Sequence, residues 1–309
     1  FYVLADADLP TLILSLKPEY YSGKVAWITG SSSGIGEELA VQLSQLGCHV
    51  IISARRVEHL EKVKEKCRAL STASVEILPL DLDADYDSHV AAAEKAVQLS
   101  PTKRIDFMVH NAGRSQRSLI ESTPMEVEKK LFTTNVFGTI SLTKAILPHM
   151  IKNGGGHFIV LSSVAGKLAS PASGAYSSTK HALQGYFDTL RIEAYSHNIE
   201  VTSVCPGPVK SEGSASAITA DGGSAGEGAS DEGKMATDRC VQLILRGASN
   251  RLKELWISPQ PILLFVYLSQ YMPAVALSLG NKVGQTRVRH LKAGNKNINS
   301  GLLASLFKK

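Results

Sequence analysis

The sequence of 309 residues lacks the patterns of a disulfide-rich, glycosylated or metal-binding protein. Its four cysteines form no C-x-x-C pair, and no Cys/His cluster has the spacing of a zinc site. No N-x-[ST] acceptor for glycosylation occurs. We therefore expect free cysteines in the core, no bound metal ion and a cytosol-facing location in which thiols stay reduced.

Acidic residues are missing from the C-terminal end. After Glu254 there is no Asp or Glu but there are seven Lys and Arg, whereas residues 1–254 hold 28 acidic and 26 basic side chains. A protein that binds nucleic acid through a uniformly basic surface has a different distribution, so we expect no nucleic-acid partner. A basic end beside an apolar segment favours contact with a membrane surface.

The chain also lacks a long unbroken apolar run. Residues 255–281 have no charged side chain, but Pro259, Pro261 and Pro273 interrupt them, and a membrane-spanning helix tolerates such breaks poorly. Three interpretations stay open: a last sheet strand with a core helix, a subunit interface, or a patch lying in the lipid interface. Because the sequence begins at Phe1 rather than Met, we interpret it as a fragment, from which an upstream signal or anchor could be missing.

What the sequence does have is a regular alternation of β-branched runs and helical stretches. The predicted strands are Val25–Thr29, Val50–Ala54, Val75–Leu80, Ile105–Val109, Phe158–Leu161 and Val201–Val204. This order predicts an α/β fold of right-handed βαβ units around a parallel sheet, in one domain over residues 24–258. An N-terminal segment, residues 1–23, precedes this domain, and an apolar then basic extension, residues 259–309, follows it.

One insertion interrupts the alternation. Residues 211–233 are rich in Gly, Ala and Ser and have few large apolar side chains. They bury too little surface to offset the entropy of ordering them, which predicts a flexible segment. In functional terms it would be a mobile lid over a substrate cleft.

A glycine-rich turn joins the first predicted strand to the first helix. Gly30 permits the sharp turn, Gly34 lets a diphosphate approach the backbone, and Gly36 lets the helix pack against the sheet. The free N–H groups and the positive end of the helix then face the anion. The residues expected to hold it are Gly30, Ser32, Ser33, Gly34, Ile35 and Gly36.

The same turn also matches G-x-S-x-G, the nucleophile motif of α/β-hydrolases. That motif normally follows several strands, whereas Gly30–Gly34 follows the first recognisable one. We therefore prefer the phosphate turn, and a hydrolase is the weaker interpretation.

Two arginines stand about twenty residues further on, at the end of the second predicted strand. An acidic residue there would bind the ribose 2′-hydroxyl of NAD, whereas an arginine pairs with the 2′-phosphate of NADP. Arg55 and Arg56 in this position predict NADP(H) as the cofactor.

Tyr176, Lys180 and Ser163 form the candidate reaction centre. Tyr176 and Lys180 are four residues apart, so they lie about one turn apart on the same face of a predicted helix. With an oxidised nicotinamide, the ammonium is expected to lower the phenol pKa by about 3 units, which needs roughly 4 kcal/mol. Ser163, thirteen residues before Tyr176 at the end of a strand, can hydrogen-bond the substrate oxygen.

In this order, the glycine turn, the serine, the tyrosine and the lysine resemble the short-chain dehydrogenase/reductases, over about residues 24–257. The resemblance implies a doubly wound Rossmann fold and an oxidoreductase that interconverts a carbonyl and an alcohol by hydride transfer. It adds Asn135 as the fourth catalytic residue, which holds a relay water, and it gives Tyr176 and Lys180 contacts with the cofactor. Further cofactor contacts are implied for Asp81, Asn111, Ala112, Gly113, Pro206, Gly207, Val209 and Ser211. The residue before Asn111, an Asn in the family motif, is His110 here.

One branch of that family matches several stretches more closely, such as Ser53–Val57, Ser115–Leu119 and Leu147–Met150. This resemblance implies an endoplasmic-reticulum membrane protein that uses NADPH on lipophilic carbonyls of steroids, retinoids and xenobiotics. Family membership also implies self-association as a homo-oligomer.

A protein that only binds NADP(H), as a scaffold or sensor, is the alternative from another class. Such a protein would not need Ser163 and Tyr176, and their presence with Lys180 and Asn135 favours an enzyme.

Overall fold

The computed structural model describes residues 5–211, 217–224, 226 and 233–293. Seven strands form one parallel sheet in the order β3-β2-β1-β4-β5-β6-β7. The strands are β1 Val25–Thr29, β2 His49–Ser53, β3 Val75–Ile77, β4 Phe107–His110, β5 Gly156–Leu161, β6 Ile199–Pro206 and β7 Glu254–Ile257. The predicted α/β class and parallel sheet are confirmed.

Helices cover both faces of this sheet. They are α1 Leu9–Ile13, α2 Gly34–Gln45, α3 Val57–Leu70, α4 Tyr86–Leu99, α5 Met125–Phe132, α6 Gly138–Lys152, α7 Gly174–Glu193, α8 Thr237–Ser249, α9 Ile262–Tyr271 and α10 Pro273–Lys292. Strand β1 shows the division, because alternate side chains point to opposite faces. Ala26 and Ile28 pack with α2, α3 and α8, whereas Val25 and Trp27 pack with α4, α6 and α7.

The strand order reverses between β1 and β4. The chain runs outward from β1 to β3 and then returns to place β4 on the other side of β1. In open parallel sheets, ligands bind beyond the carboxyl ends of the strands at such a reversal. The fold therefore places the candidate site where the turn after β1 meets the segments that follow β4 and β5.

The four cysteines are free and buried, as expected from their spacing. Cys48 and Cys240 lie in the core on the α2 face of the sheet. None of the helices in the described part of the chain combines the length and apolar character that a membrane-spanning helix requires.

The charge-free segment 255–281 has a definite structure. Leu255 lies in β7, and Leu263 and Val266 of α9 are buried against Trp256 and Cys205. This is the first of the three interpretations, a last strand followed by a packed helix. The other face of α9 and the start of α10 carry exposed apolar side chains, namely Leu264, Tyr271, Met272, Val275 and Leu277.

Two expectations fall largely outside the described residues. Most of the predicted flexible insertion, 212–216, 225 and 227–232, and the basic end from residue 294 onward belong to the part that is not described. The domain limits at residues 23 and 258 stay a prediction. Within the described part, Asp8 of the N-terminal segment receives a hydrogen bond from the Trp256 backbone at 3.1 Å.

Candidate active site

The turn between β1 and α2 requires glycine at three positions. Gly30 and Gly34 have φ angles of +66° and +61°, which side chains rarely adopt. A Cβ on Gly30 would lie 2.7 Å from the Ala112 Cα, and one on Gly36 would lie 2.4 Å from the Gly30 carbonyl oxygen. The turn and the segment after β4 are therefore in direct backbone contact.

The side chain of Asn111 stabilises this turn through hydrogen bonds. Its side-chain amide donates hydrogen bonds of 3.0 Å to the carbonyl oxygens of Thr29 and Gly30. The Thr29 hydroxyl in turn accepts the backbone N–H groups of Asn111 and Ala112 at 3.1 Å. Asn111 itself lines the cleft, so its predicted contact with the cofactor stays a prediction, and its side chain also fixes the backbone of the turn.

The turn opens onto a cleft of about 940 Å³. Ser33 precedes α2 without a side-chain hydrogen bond to the helix, so the N–H groups of the first turn stay available. Ser32, Ser33, Gly34 and Ile35 line the cleft at this point. Exposed N–H groups, a positive helix end and glycines that admit close approach fit the diphosphate of a dinucleotide cofactor.

Arg55 and Arg56 lie on the rim next to this turn. Both side chains are exposed and line the cleft, and Arg56 donates a hydrogen bond of 3.4 Å to the Ser32 hydroxyl. Asp81 is exposed on the same rim. The positive charges are thus next to the place where the adenine end of a dinucleotide would leave the turn.

Tyr176 stands in the first turn of α7, on the wall of the cleft. Its backbone N–H donates a hydrogen bond of 3.1 Å to the side-chain oxygen of Gln116. Burial raises the pKa of the Tyr176 phenol, and the nearby Ser163 hydroxyl offsets only part of that rise. The phenol is therefore protonated at neutral pH. The lowered pKa expected from the sequence concerns the state with an oxidised nicotinamide bound, and it stays a prediction.

Lys180 follows one turn later and is only 4% exposed. Its ammonium donates a hydrogen bond of 2.6 Å to the Leu161 carbonyl oxygen and lies 5.7 Å from the centre of the Tyr176 ring. Burial lowers the pKa of Lys180 to about 8.

Asn135 lies behind the wall that carries these groups. A π-helical turn, Thr133–Phe137, directs its side chain toward Arg114. The Asn135 amide oxygen accepts the Arg114 N–H at 2.8 Å, and its amide nitrogen donates to the Arg114 carbonyl at 2.9 Å and to Thr179 at 3.1 Å. A Cβ on Gly113 would lie 3.2 Å from the Asn135 oxygen and 3.6 Å from the Lys180 nitrogen, so the three residues are neighbours.

The structure brings nearly all of the sequence-predicted site residues to one cleft. Gly36 and Asn135 do not line it but support residues that do. Those that line it are Gly30, Ser32, Ser33, Gly34, Ile35, Arg55, Arg56, Asp81, Asn111, Ala112, Gly113, Ser163, Tyr176, Lys180, Pro206, Gly207, Val209 and Ser211.

Three residues with a place in the site were missed by sequence reasoning. Gln116 is buried and fixes the start of α7 through the Tyr176 backbone. Arg117 and Arg287 line the cleft, although Arg287 comes from the distant helix α10. The stretch around Gln116 was noted only for its resemblance to a family branch, and no local signal marked Arg287.

His110 does not itself line the cleft. It is 3% exposed, stacks on Phe158 and shares a hydrogen bond of 2.8 Å with the Thr143 hydroxyl. Burial lowers the pKa of His110 to about 3, so the ring is neutral. At this position the histidine is part of the core.

The model of the short chain dehydrogenase family matches residues 24–221 of this sequence. The chain therefore belongs to the short-chain dehydrogenase/reductase family. Members of this family are oxidoreductases that bind a nicotinamide cofactor, which agrees with the open turn after β1.

Individual relatives extend the similarity over nearly the whole chain. Human dehydrogenase/reductase SDR family member 7 is 44% identical over 95% of this chain and 88% of its own length. The mouse protein of the same name is 42% identical over 94% and 88%, and member 7B of Xenopus laevis is 35% identical over 93% and 89%.

Among solved structures, an alcohol dehydrogenase from the archaeon Thermococcus sibiricus, complexed with 5-hydroxy-NADP, is similar with a TM-score of 0.66. It is 25% identical, and the match covers 77% of this chain and 97% of that one.

Proposed function

We propose that the protein is an NADP(H)-dependent oxidoreductase that interconverts a carbonyl and an alcohol. The observation that carries this proposal is the meeting of Ser163, Tyr176 and Lys180 on one wall of the cleft that the phosphate turn opens. A reduced nicotinamide bound there supplies a hydride for the carbonyl carbon.

Tyr176 acts as the general acid in the direction of reduction. The raised pKa of its phenol keeps the proton available at neutral pH, and the proton passes to the carbonyl oxygen as negative charge develops there. The Ser163 hydroxyl, which donates to the Pro206 carbonyl at 3.3 Å in the structure, would turn its O–H to the same oxygen and hold it in place. The product is an alcohol, and Tyr176 is left as a phenolate.

Lys180 and Asn135 restore the proton. With a pKa of about 8, Lys180 carries a proton at neutral pH and holds it near the phenol ring. When a cofactor is bound, we assign Lys180 to its ribose and Asn135 to the water through which protons return to the ammonium. The position of Asn135 directly behind Gly113 and Lys180 supports this relay.

The cofactor contacts that we assign follow the lining of the cleft. The turn from Gly30 to Gly36 would hold the diphosphate, Asp81 the adenine, and Arg55 and Arg56 the 2′-phosphate. The segment Pro206–Ser211 would cover the nicotinamide, because it lines the cleft beyond the end of β6.

The choice between NADPH and NADH is tested by reversing one charge. Arg55→Asp is expected to raise the KM for NADPH by about tenfold or more, because a charge-assisted hydrogen bond to phosphate is lost, and to change the KM for NADH little. Arg68→Asp, also exposed but at the far end of α3, is the matched control and should change neither value. Equal effects of Arg55→Asp on both cofactors would contradict the assignment.

For the substrate we propose lipophilic carbonyl compounds of the steroid, retinoid and xenobiotic type. This proposal, like an endoplasmic-reticulum membrane location and a homo-oligomer, rests on the likeness of the sequence to one branch of the family. NADPH oxidation with a panel of lipophilic aldehydes, ketones and quinones tests it. If the protein turns over none of these compounds, the proposed substrate class is wrong.

A further inference from the structure

Helix α10 forms part of the wall of the catalytic cleft. A Cβ on Gly284 would lie 3.0 Å from Pro171, and Lys292 forms an ion pair of 2.8 Å with Glu121. Through these contacts the helix packs on the segment that leads into α7 and on the turn that precedes α5. Arg287, between the two contacts, lines the cleft.

Arg117 reaches the same region from the segment after β4. Its backbone N–H donates to the Ile218 carbonyl at 2.8 Å, and the next residue, Ser118, bonds to the Ala172 carbonyl at 3.1 Å. Both arginines therefore flank Pro171–Ser173, only a few residues before Tyr176. Arg55 and Arg56, by contrast, follow β2, on the other side of the strand reversal.

Among the described residues, no carboxylate pairs with either of these two guanidinium groups. Within the described part of the chain, neither side chain takes part in an ion pair or hydrogen bond, and the Nε of Arg287 is buried without any acceptor. Burial lowers the pKa of both arginines. The pKa of Arg287 falls to about 10, and repulsion from the Arg117 charge contributes to this fall. Two like charges that both lose solvent are unfavourable in the same cleft.

A bound oxyanion would pair with these two positive charges. A carboxylate, sulfate or phosphate offers two or more oxygens in the geometry that the guanidinium fork matches, and hydrogen bonds between ionised partners are the strong ones. Because both arginines line the cleft beside the start of α7, an anion bound there would belong to the molecule whose carbonyl faces Tyr176.

We propose that Arg117 and Arg287 bind an oxyanion group of the substrate, so that the preferred substrate is a carbonyl compound, or its alcohol, with an acidic group on its far end. This inference rests on the proposed function and narrows it. A lipophilic body with a carboxylate or sulfate end satisfies both the reaction centre and the two arginines.

Matched substrate pairs test the proposal. 4-Formylbenzoate, 4-formylcinnamate and 4-formylbenzenesulfonate carry the anion at different lengths, and the methyl esters of the two carboxylates are the neutral counterparts. The wild-type protein should have a kcat/KM for the anions at least about tenfold above that for the esters, because a charge-assisted hydrogen bond is worth at least that factor. Equal values for all of them would overturn the proposal.

The variant Arg287→Gln tests whether Arg287 binds the anionic group of the substrate. It should lower kcat/KM for the anions about tenfold or more, through KM, and leave the esters within about twofold. The matched control is Arg289→Gln, on the same helix but exposed, which should change neither. The melting temperature of Arg287→Gln should not fall, because the substitution removes a buried charge that has no partner. An equal loss for esters and anions, or an equal rise in the Kd for NADPH, would show that Arg287 supports the fold or the cofactor instead.

Calorimetric binding separates this inference from the proposed reaction. In the presence of NADP⁺, the non-reducible 4-carboxybenzoate should bind the wild-type protein at least about tenfold more tightly than it binds Arg117→Gln or Arg287→Gln. This result would support the anion site even if no aldehyde were reduced. Equal affinity for the three proteins would show that Arg117 and Arg287 form no anion-binding site, even if the reaction proceeds.

Discussion

Gly36 and Gly185 are both helical glycines, but only one of them has room for a side chain. In α2, a Cβ on Gly36 would meet the Gly30 carbonyl at 2.4 Å and the Asn111 amide at the same distance. In α7, a Cβ on Gly185 would have no atom within 4 Å apart from its chain neighbours and the backbone of its own helix. At the scale of the residue, the phosphate turn therefore depends on the missing side chain of Gly36, whereas Gly185 has no such role.

Alanine at these two positions should have opposite effects. Gly36→Ala is expected to lower the free energy of unfolding by about 1–3 kcal/mol, as overpacking does, and to weaken NADPH binding because the turn must shift. Gly185→Ala should raise the free energy of unfolding by about 0.5–1 kcal/mol, since alanine is the better helix former. Urea denaturation and a fluorescence titration with NADPH measure both. A Gly36→Ala protein as stable and as tightly bound as the wild type would contradict the packing described.

At the scale of the element, helix α7 connects the fold to the chemistry. Its first two turns carry Tyr176, Thr179 and Lys180, and three other segments of the chain hold those turns in position. Gln116 bonds to the Tyr176 backbone, Asn135 to Thr179, and Ser162 donates to the Lys180 carbonyl. The candidate catalytic groups thus stand on a regular helix whose position is fixed from several sides, as a precise site requires.

Helix α9 has two adjacent leucines with opposite surroundings. Leu263 is 1% exposed and packs with Trp256 and Val266, whereas Leu264 is 41% exposed. If the C-terminal extension is a packed part of the fold, Leu263→Ala should lower the free energy of unfolding by about 2–5 kcal/mol and Leu264→Ala by less than about 1 kcal/mol. Thermal and chemical denaturation of the two variants measure the difference. Similar small effects of both would mean that α9 does not stabilise the protein.

At the scale of the whole molecule, local patterns predicted the sheet and most of the cleft. The run Val25–Thr29 was predicted with the limits that the structure has, because a short apolar run that ends at a glycine turn is typical of a buried parallel strand. The glycine turn and the pair Tyr176 and Lys180 were also readable, since each is a short pattern with a chemical reason.

What the sequence did not reveal depends on contacts between distant parts of the chain. Arg287 in α10 reaches the cleft only because that helix packs on Pro171, and nothing near Arg287 in the sequence indicates this. The raised pKa of Tyr176 also depends on packing between distant segments, because it follows from burial of the phenol. Spacing predicted which groups meet, but their protonation depends on the packing around them.

The central claim is that Tyr176 gives the proton in a reaction that consumes NADPH, and Tyr176→Phe tests it most directly. The account predicts that carbonyl reduction falls by about 10²–10⁴-fold while NADPH still binds, because only the acidic O–H is lost. The matched control, Tyr186→Phe on the same helix, should keep full activity. A Tyr176→Phe protein that binds NADPH and still reduces the carbonyl at the wild-type rate would contradict the account.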